Sequence, residues 1–293
     1  MALKKPQKGN CPVTIARFAG FCGGVAMAVK GAEKLLSEHQ VYCIGDIIHN
    51  SFVIESLKKK GLETVSSVKE IPPRSHIIIR AHGLPLEEIA ALRKKGCVIH
   101  DFTCPILKKI HKDIIKLKRK GYEIAIIGNP KHAEVKAFVS RAGARFGNRP
   151  AARSVARVFV ISKIKDTDGL SYAPRRAIIC QSTISSALFV SHAAKALGKS
   201  GETLVIDTIC CEAKKRRKEA EELAKKSKMV IIVGDRKSSN TMTLSGIVGK
   251  YCSVALISSA DEIKKNKIKY PLAIVSGASS PRELVLDIAR KVC

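Results

Sequence analysis

Three cysteines in this chain stand where a thiol can serve as a ligand or as a reactive group. Each follows a short apolar run and opens a helical run, and they are Cys22, Cys104 and Cys210. The dipole of a helix favours negative charge at its N-terminus, so a thiol there is more readily a thiolate. Thiolates bind zinc and iron–sulfur clusters, and the sequence therefore predicts a metal-binding set.

Polar residues recur at matched distances after these cysteines. The glycine that ends the next predicted strand comes 23 residues after Cys22, and 24 residues after both Cys104 and Cys210. A polar loop residue follows each glycine, and a polar residue ends a further strand of each unit. The loop residues are His49, His132 and Ser238, and the strand-end residues are His82, Ser182 and Ser279. This repeat indicates three βαβ units with polar residues at the carboxyl ends of parallel strands.

Three thiolates, one from each unit, suit a 4Fe–4S cluster in which one iron lacks a protein ligand. Zinc bound by three cysteines and a histidine is the main inorganic alternative. Cys211 could compete with Cys210, but the counted period favours Cys210. The other cysteines lack the strand-to-helix position and are predicted to be core or tail residues: Cys11, Cys43, Cys97, Cys180, Cys252 and Cys293.

Hydroxyl, amide and imidazole groups dominate the polar loops, which we place after strands 123–127 and 229–233, among others. Such a donor-rich set suits a phosphate or a diphosphate, although each histidine could also be purely structural. Glu134 is the acidic group of these loops. Its structural role would be to order His132 or a nearby lysine, and its catalytic role, which we expect, is to donate a proton with the Ser182 hydroxyl as relay. The predicted binding residues are His49, His82, His132, Ser182, Ser238, Ser239, Asn240 and Ser279.

The elements that must position these residues are short Val- and Ile-rich strands that alternate with amphipathic helices. Such alternation is typical of parallel sheets covered by helices. We expect three similar α/β lobes with mainly parallel sheets, arranged about a pseudo-three-fold axis around a central cluster. The predicted lobes are residues 13–100, 101–202 and 203–293, and part of segment 1–20 is expected to join the third.

The net charge of +28 favours acidic partners, although a general basic bias displayed on solvated helix faces accounts for it equally well. A basic nucleic-acid-binding protein is the main alternative function. Aromatic residues make up only 4% of the chain and do not interleave with the basic ones, which disfavours nucleic acid as a partner. No apolar run approaches the ~18 residues of a membrane helix. A cleaved signal peptide ending near Ala28 is a weaker alternative, because Arg17 interrupts its apolar stretch. We therefore expect a cytoplasmic protein without membrane insertion.

A series of short motifs resembles, in the same order, those of the 4-hydroxy-3-methylbut-2-enyl diphosphate reductase family. The resemblance covers nearly the whole chain. The motifs are GFCGGV at Cys22, IIHN at His49, AHG at His82, TCP at Cys104, H-x-EV at Glu134, QST at Gln181, TIC at Cys210, SSN at Ser238 and GAS-x-P at Ser279.

This resemblance implies a three-lobed α/β enzyme with one 4Fe–4S cluster held by Cys22, Cys104 and Cys210. It implies that the substrate hydroxyl lies on the open iron near Ser182 and Glu134, and is removed as water to give isopentenyl and dimethylallyl diphosphates. A ferredoxin- or flavodoxin-type protein would supply the electrons. The implied diphosphate ligands are His49, His82, His132, Ser238, Ser239, Asn240 and Ser279.

The chain departs from the family pattern at a few positions. Ala133 replaces a proline, Ser182 replaces a threonine, and Arg217 stands where the family has glutamine. The Arg-rich segment 141–157 is also unusual. A clusterless relative is a further alternative, although the three intact cysteines argue against it.

Overall fold

The computed structural model describes residues 13–143, 158–264 and 267–293. The N-terminal lead with Cys11 and most of the Arg-rich segment 141–157 lie outside the described residues. Within the described ranges, no helix combines the length and the apolar character that a membrane span requires.

Twelve strands and nine α-helices alternate along the described residues. The strands are β1 Val13–Ile15, β2 Val41–Ile44, β3 Leu62–Val65, β4 His76–Ile79, β5 Val98–Asp101, β6 Glu123–Ile127, β7 Val158–Ile161, β8 Ala173–Cys180, β9 Ser200–Val205, β10 Met229–Val233, β11 Ser253–Ile257 and β12 Leu272–Ser276. The helices are α1 Gly23–Leu36, α2 Ser51–Lys59, α3 Leu86–Lys94, α4 Pro105–Arg119, α5 Ala133–Arg141, α6 Ser186–Ala196, α7 Cys211–Ala224, α8 Ser239–Val248 and α9 Arg282–Val292.

Residues Gly23–Ile48 and Val53–Cys211 form one compact unit that contains two four-stranded sheets. The first sheet has the strand order β3-β2-β4-β5 and the second has the order β7-β6-β8-β9. Every pairing in both sheets is parallel. Helices cover the sheets, and α4 packs Ile110 and Ile114 into the core of the second sheet.

The described residues up to Cys22, residues His49–Phe52 and residues Glu212–Cys293 form a second compact unit. Its sheet has the order β1-β12-β10-β11, and its pairings are also all parallel. The N-terminal strand β1 therefore pairs with β12, close to the end of the chain. All residues of β10 and β12 are buried, as expected for central strands with both faces covered.

Three parallel α/β sheets confirm the fold class that the repeat predicted. The loop interpretation of two polar segments was wrong, because both of them begin a helix. His132 is the N-cap of α5, so Glu134 lies in its first turn. Ser238 is the N-cap of α8, which begins at Ser239.

Candidate active site

The loops that carry the three cysteines are built in the same way. The backbone N–H of each cysteine donates to a carbonyl two residues beyond the end of a neighbouring strand. These bonds are Cys22 N–H to Ala278 O at 3.0 Å, Cys104 N–H to Ala81 O at 3.0 Å and Cys210 N–H to Ser182 O at 2.9 Å, after β12, β4 and β8 respectively. Each cysteine also directly precedes its helix and is half-buried. The predicted strand-to-helix position is therefore confirmed for all three.

The strand before each cysteine is an edge strand of the sheet to which that cysteine is bonded. These strands are β1, β5 and β9. Cys104 is thus attached to the first sheet and Cys210 to the second, while Cys22 is attached to the sheet of the C-terminal strands. Each thiol lies at the carboxyl end of a parallel sheet, which is where ligands bind in such folds.

An aspartate supports two of the three cysteine loops. The Oδ1 atoms of Asp101 and Asp207 each accept a hydrogen bond, at 2.9 Å, from the backbone N–H two residues further on. Both aspartates stand three residues before a cysteine. The corresponding residue before Cys22 is Ala19, whose carbonyl instead accepts from Arg282 Nη1 at 2.8 Å. The same loop position is therefore fixed by different contacts.

The common cysteine bond corrects one correspondence of the sequence repeat. Ser182 provides the carbonyl that Ala81 and Ala278 provide elsewhere. The residues that follow these acceptors are Thr183, His82 and Ser279. Ser182 was grouped with His82 and Ser279 because all three are polar residues at a strand end, but the structural counterpart of those two residues is Thr183, one residue later.

Glu134, the predicted proton donor, and Ser182, the predicted relay, are in direct contact. The side chains of both are buried, and only 1% of Glu134 is exposed. The Ser182 backbone N–H donates to Glu134 Oε1 at 2.5 Å, and the Ser182 hydroxyl donates to Oε2 at 2.9 Å. Burial raises the pKa of Glu134 to about 7, against the opposing effect of the two bonds from Ser182. At neutral pH this carboxyl can therefore both hold and release a proton.

His132 and His82 lie side by side in the same unit. Their ring centroids are 5.3 Å apart in an edge-to-face arrangement. His132 Nδ1 accepts a hydrogen bond from the Glu134 backbone N–H at 3.3 Å, which caps α5. The neutral ring that makes this bond carries its proton on Nε2. His132 therefore offers an N–H donor of the kind that binds a phosphate oxygen.

The segment 238–240 forms the N-terminus of α8 in the other unit. Ser238 Oγ accepts from the Thr241 backbone N–H at 3.4 Å, and Ser238 and Asn240 are both 5% exposed. Among the described residues, neither polar atom of the Asn240 side chain has a hydrogen-bond partner. Because an unsatisfied buried amide is costly, this side chain is suited to hold a polar ligand at a helix N-terminus.

Ser279 and His49 come together within the same unit as α8. The Ser279 hydroxyl donates to the backbone carbonyl of His49 at 2.8 Å. The neighbouring Ser280 hydroxyl donates to Val233 O at 2.8 Å, which ties this loop to the end of β10. A Cβ atom on Gly277 would lie 2.4 Å from Thr241 Oγ1, so the loop after β12 and the start of α8 are in close contact.

Cys211, the competitor of Cys210, is exposed as the first residue of α7, and the remaining described cysteines have the character of core or tail residues. Burial raises the pKa of the Cys43 thiol to about 12 and that of the Cys180 thiol to about 11. Cys293 is exposed at the end of α9, and Cys252 and Cys97 are half-buried. Thiols with such high pKa values as Cys43 and Cys180 are poor metal ligands at neutral pH.

The sequence interpretation missed the contacts of two residues that hold the site. Gln181 Oε1 accepts from the Asn129 backbone N–H at 3.1 Å, and Gln181 Nε2 donates to Thr183 Oγ1 at 2.8 Å. Thr208 Oγ1 accepts from the backbone N–H of Cys180 at 2.8 Å. It also lies 2.5 Å from the Cys180 carbonyl oxygen and 3.3 Å from the Cys180 sulfur. Both residues lie inside motifs noted in the sequence, Gln181 as the first residue of QST and Thr208 as the first residue of TIC, so only their supporting contacts were missed.

Comparison with known proteins places this architecture in a family. The profile described as "LytB protein" matches residues 13–293. Two similar proteins carry the name 4-hydroxy-3-methylbut-2-enyl diphosphate reductase. The one from Clostridioides difficile is 33% identical over 282 residues, covering 94% of this chain and 97% of its own length. The one from Campylobacter hominis is 31% identical over 284 residues, covering 96% and 98% respectively.

Solved structures agree with the sequence relationship. The E-1-hydroxy-2-methyl-but-2-enyl-4-diphosphate reductase from Plasmodium falciparum has the same fold, with a TM-score of 0.85 over 96% of this chain and 88% of that one, at 22% identity. A structure titled (E)-4-hydroxy-3-methyl-but-2-enyl diphosphate reductase, the terminal enzyme of the non-mevalonate pathway, has a TM-score of 0.71 at 31% identity over 96% of this chain and 98% of that one. With its profile match spanning all but the first 12 residues, this chain belongs to the LytB family.

Proposed function

We propose that this chain is a 4-hydroxy-3-methylbut-2-enyl diphosphate reductase, the oxidoreductase that completes the non-mevalonate isoprenoid pathway. It would remove the allylic hydroxyl of its substrate to give isopentenyl and dimethylallyl diphosphates. The names of its relatives support this activity. The observation that carries it is the Glu134 carboxyl held by Ser182, whose carbonyl in turn accepts from Cys210. A group that exchanges protons near neutral pH is thereby joined to a cysteine loop.

The cofactor of the proposal is one 4Fe–4S cluster bound by Cys22, Cys104 and Cys210. The half-buried position of these thiols before three helices fits the thiolate ligands that such a cluster needs. A Cβ atom on Gly24 would lie only 2.8 Å from Cys104 Sγ, so glycine leaves room for a group at that sulfur. When bound, the cluster would supply the electrons for reductive removal of the hydroxyl.

The reaction takes up two electrons and two protons and releases water, so the protein must deliver protons in a buried site. A protonated Glu134 can donate through Oε2 to the Ser182 hydroxyl, which passes its own hydrogen to the substrate side. The Ser182 backbone N–H keeps Oε1 as an acceptor and so fixes the carboxyl. Reprotonation of Glu134 at neutral pH is favoured by its pKa of about 7.

The diphosphate is assigned to the hydroxyl, amide and imidazole donors that the sequence predicts. The His132 Nε2–H and the neighbouring His82 ring are two such donors. The buried Asn240 amide at the start of α8 is another, and Ser279, whose hydroxyl donates to the His49 carbonyl, lies in the same compact unit as α8. The proposed ligands are His49, His82, His132, Ser182, Ser238, Ser239, Asn240 and Ser279.

Three further parts of the proposal concern the setting of the enzyme. A ferredoxin- or flavodoxin-type donor is supported by the net charge of +28, which favours an acidic partner. A cytoplasmic location is in keeping with such a donor. The three sheets support a division into three lobes, but the bounds 13–100, 101–202 and 203–293 need small shifts. Strand β5 reaches Asp101 within the first sheet, β9 reaches Val205 within the second, and β1 joins the last.

Anaerobic purification followed by iron and sulfide analysis tests the proposal. We expect a brown protein with about four irons per chain and activity on the hydroxylated diphosphate. Cys104→Ser should lose iron, whereas Cys293→Ser, at the exposed C-terminus, should keep it. Colourless protein that binds zinc after anaerobic reconstitution would contradict the cluster. Nucleic-acid binding that survives physiological salt, without reductase activity, would favour the nucleic-acid-binding alternative.

A further inference from the structure

Arg80 stands two residues before His82, where β4 ends and the AHG turn begins. Its backbone carbonyl accepts from the Gly83 N–H at 2.9 Å, which closes the turn around His82. Its guanidinium reaches across to the loop after β2, where Nη1 donates to the Asp46 carbonyl at 3.1 Å. One residue therefore both closes the turn and ties it to the next strand of the sheet.

The Arg80 guanidinium packs so close to Gly45 that a residue with a side chain there would clash with it. A Cβ atom on Gly45 would lie 2.8 Å from Arg80 Nη1 and 3.3 Å from its Cζ. Gly45 also has a φ of +67°, a conformation that other residues rarely adopt. The backbone after β2 is thus shaped to receive the arginine side chain.

A half-open cavity of about 300 Å³ lies beside this turn. Gly45, Arg80, Gly83, Leu84 and Pro85 are among its lining residues. A turn that borders a cavity is not held by close packing on that side. The Arg80 Nε is buried and has no partner among the described residues, so only the Nη1 end of the fork holds the turn to the β2 loop.

The position of this turn matters for more than His82. The Ala81 carbonyl accepts from the Cys104 N–H at 3.0 Å, and the His82 ring packs edge-to-face on His132. A shift of the turn would move a proposed diphosphate ligand relative to its neighbour. Such a shift acts on substrate binding, because His82 is assigned to the non-reacting diphosphate end.

We infer that Arg80 is a positioning residue, which holds the His82 turn in the geometry that binds the diphosphate. This inference rests on the proposed function for the role of His82. Arg80→Met removes the donor and keeps the aliphatic length. The variant should raise KM for the hydroxylated diphosphate about tenfold with kcat changed less than about threefold, since uniform binding is lost. Arg80→Lys, which can still donate to the Asp46 carbonyl, should recover most of the affinity.

Two measurements separate positioning from a merely structural role. Anaerobic titration of the cluster-loaded protein with inorganic pyrophosphate should show an affinity about tenfold weaker in Arg80→Met. Histidine-labelled protein should show shifted ring resonances for His82 and His132 but not for His39. Arg93 is an exposed residue at the end of α3. The control variant Arg93→Met should match the wild type in KM, in pyrophosphate affinity and in the histidine resonances.

An unchanged KM and pyrophosphate affinity in Arg80→Met, with unmoved His82 resonances, would overturn the inference. A lower unfolding temperature with normal affinity would do the same, because it assigns Arg80 to stability alone. A wild-type chain without reductase activity would instead contradict the proposed function, while the resonance measurement would still decide the role of Arg80.

Discussion

The backbone N–H of Cys210 donates to the carbonyl of Ser182 at 2.9 Å, while the hydroxyl of the same serine donates to Glu134. Ser182 therefore contacts a predicted metal ligand through its backbone and a predicted proton donor through its side chain. The equivalent carbonyls that accept from the other two cysteines belong to Ala81 and Ala278, and alanine has no polar side chain. This asymmetry places the proposed proton-transfer group at only one of three similar loops.

Replacing Glu134 by glutamine should remove the proton donor without emptying the site. Gln is nearly isosteric, and it can still accept from the Ser182 backbone N–H. We expect kcat to fall by about 10²–10⁴-fold with the iron content unchanged. In the wild type, the rate should decline as pH rises above about 7, because a proton donor with that pKa loses its proton there. A pH–rate profile that is the same in both proteins would remove Glu134 from this role.

The Ser182 hydroxyl should matter separately from its backbone. Ser182→Ala keeps the N–H bond to Glu134 Oε1 but loses the hydroxyl bond to Oε2. We expect kcat to fall by about tenfold or more, because the relay is interrupted. Ser182→Thr, which restores the residue typical of the resembled family, is the matched control and should keep most activity. Steady-state kinetics on proteins of equal iron content would measure both, and equal rates for the alanine and threonine variants would contradict the relay.

The ion pair between Arg176 and Glu123 should contribute strongly to the stability of the second sheet. Arg176 is fully buried, and its guanidinium donates to Glu123, to Lys199 O and to Ser171 O. Arg176→Met would leave the Glu123 carboxylate buried without its partner, and we expect a loss of about 3–5 kcal/mol in the free energy of unfolding.

The neighbouring Arg175 supplies the control for this prediction. Its ion pair with Glu202 is half exposed, so Arg175→Met should destabilise the protein much less. Urea unfolding of both variants measures the difference. Equal losses would show that burial does not decide the contribution of the Arg176 pair.

His111 should make stability fall at acid pH. Burial, together with the nearby Arg141, lowers the pKa of its ring to about 3. The native state then holds a neutral ring that becomes charged in the unfolded state below about pH 6.5. Its contribution is present above pH 6.5 and is lost as pH falls toward 3, by up to roughly 4 kcal/mol.

A phenylalanine variant isolates this effect, since the ring already packs against Phe138. The difference in unfolding free energy between His111→Phe and the wild type should change in favour of the variant between pH 7.5 and pH 5. The raised pKa of Glu134 acts with the opposite sign in both proteins and cancels in the difference. A difference that does not depend on pH would contradict the prediction.

Proline should be accepted at position 133, where the resembled family carries it. Ala133 is the first residue of α5, a position at which proline fits well. His132 before it has φ −72° and ψ 138°, the extended conformation that proline requires of its predecessor. We expect Ala133→Pro to raise the free energy of unfolding by about 0.4–1 kcal/mol. Ala137→Pro, in the interior of the same helix, should lower it by about 3 kcal/mol or more, and thermal unfolding would compare the two.

Local sequence patterns were sufficient to predict much of the fold and of the candidate site. The strands β6 and β10 were predicted with the bounds that the structure has, because buried runs of Ile and Val in parallel sheets are distinctive. The three cysteine positions were likewise local, since each marks the change from a strand to a helix. Helices α5 and α8 were both interpreted as loops. The N-cap of α5 is His132, which lacks the usual Ser, Thr, Asp or Asn signal, whereas α8 has that signal at Ser238 but was assigned to a ligand loop.

Other features depended on contacts between distant parts of the chain. The pairing of β1 with β12 joins residues 13–15 to residues 272–274, and no local pattern specifies such a partner. The bond between Cys210 and Ser182 likewise depends on β9 lying beside β8. Grouping Ser182 with His82 and Ser279 as strand-end residues was consequently one residue out, because the local sequence does not show which carbonyl accepts from the cysteine N–H.

The sequence by itself determined the kinds of group available: three thiols before helices, a set of hydroxyl and imidazole donors, and one carboxyl among them. Tertiary structure decided what those groups can do. Glu134 has an ordinary carboxyl pKa until the fold buries it against Ser182, where loss of water raises that pKa to about 7. Residue types and spacing are local properties of the chain, whereas desolvation and hydrogen-bond partners arise only when remote segments pack together.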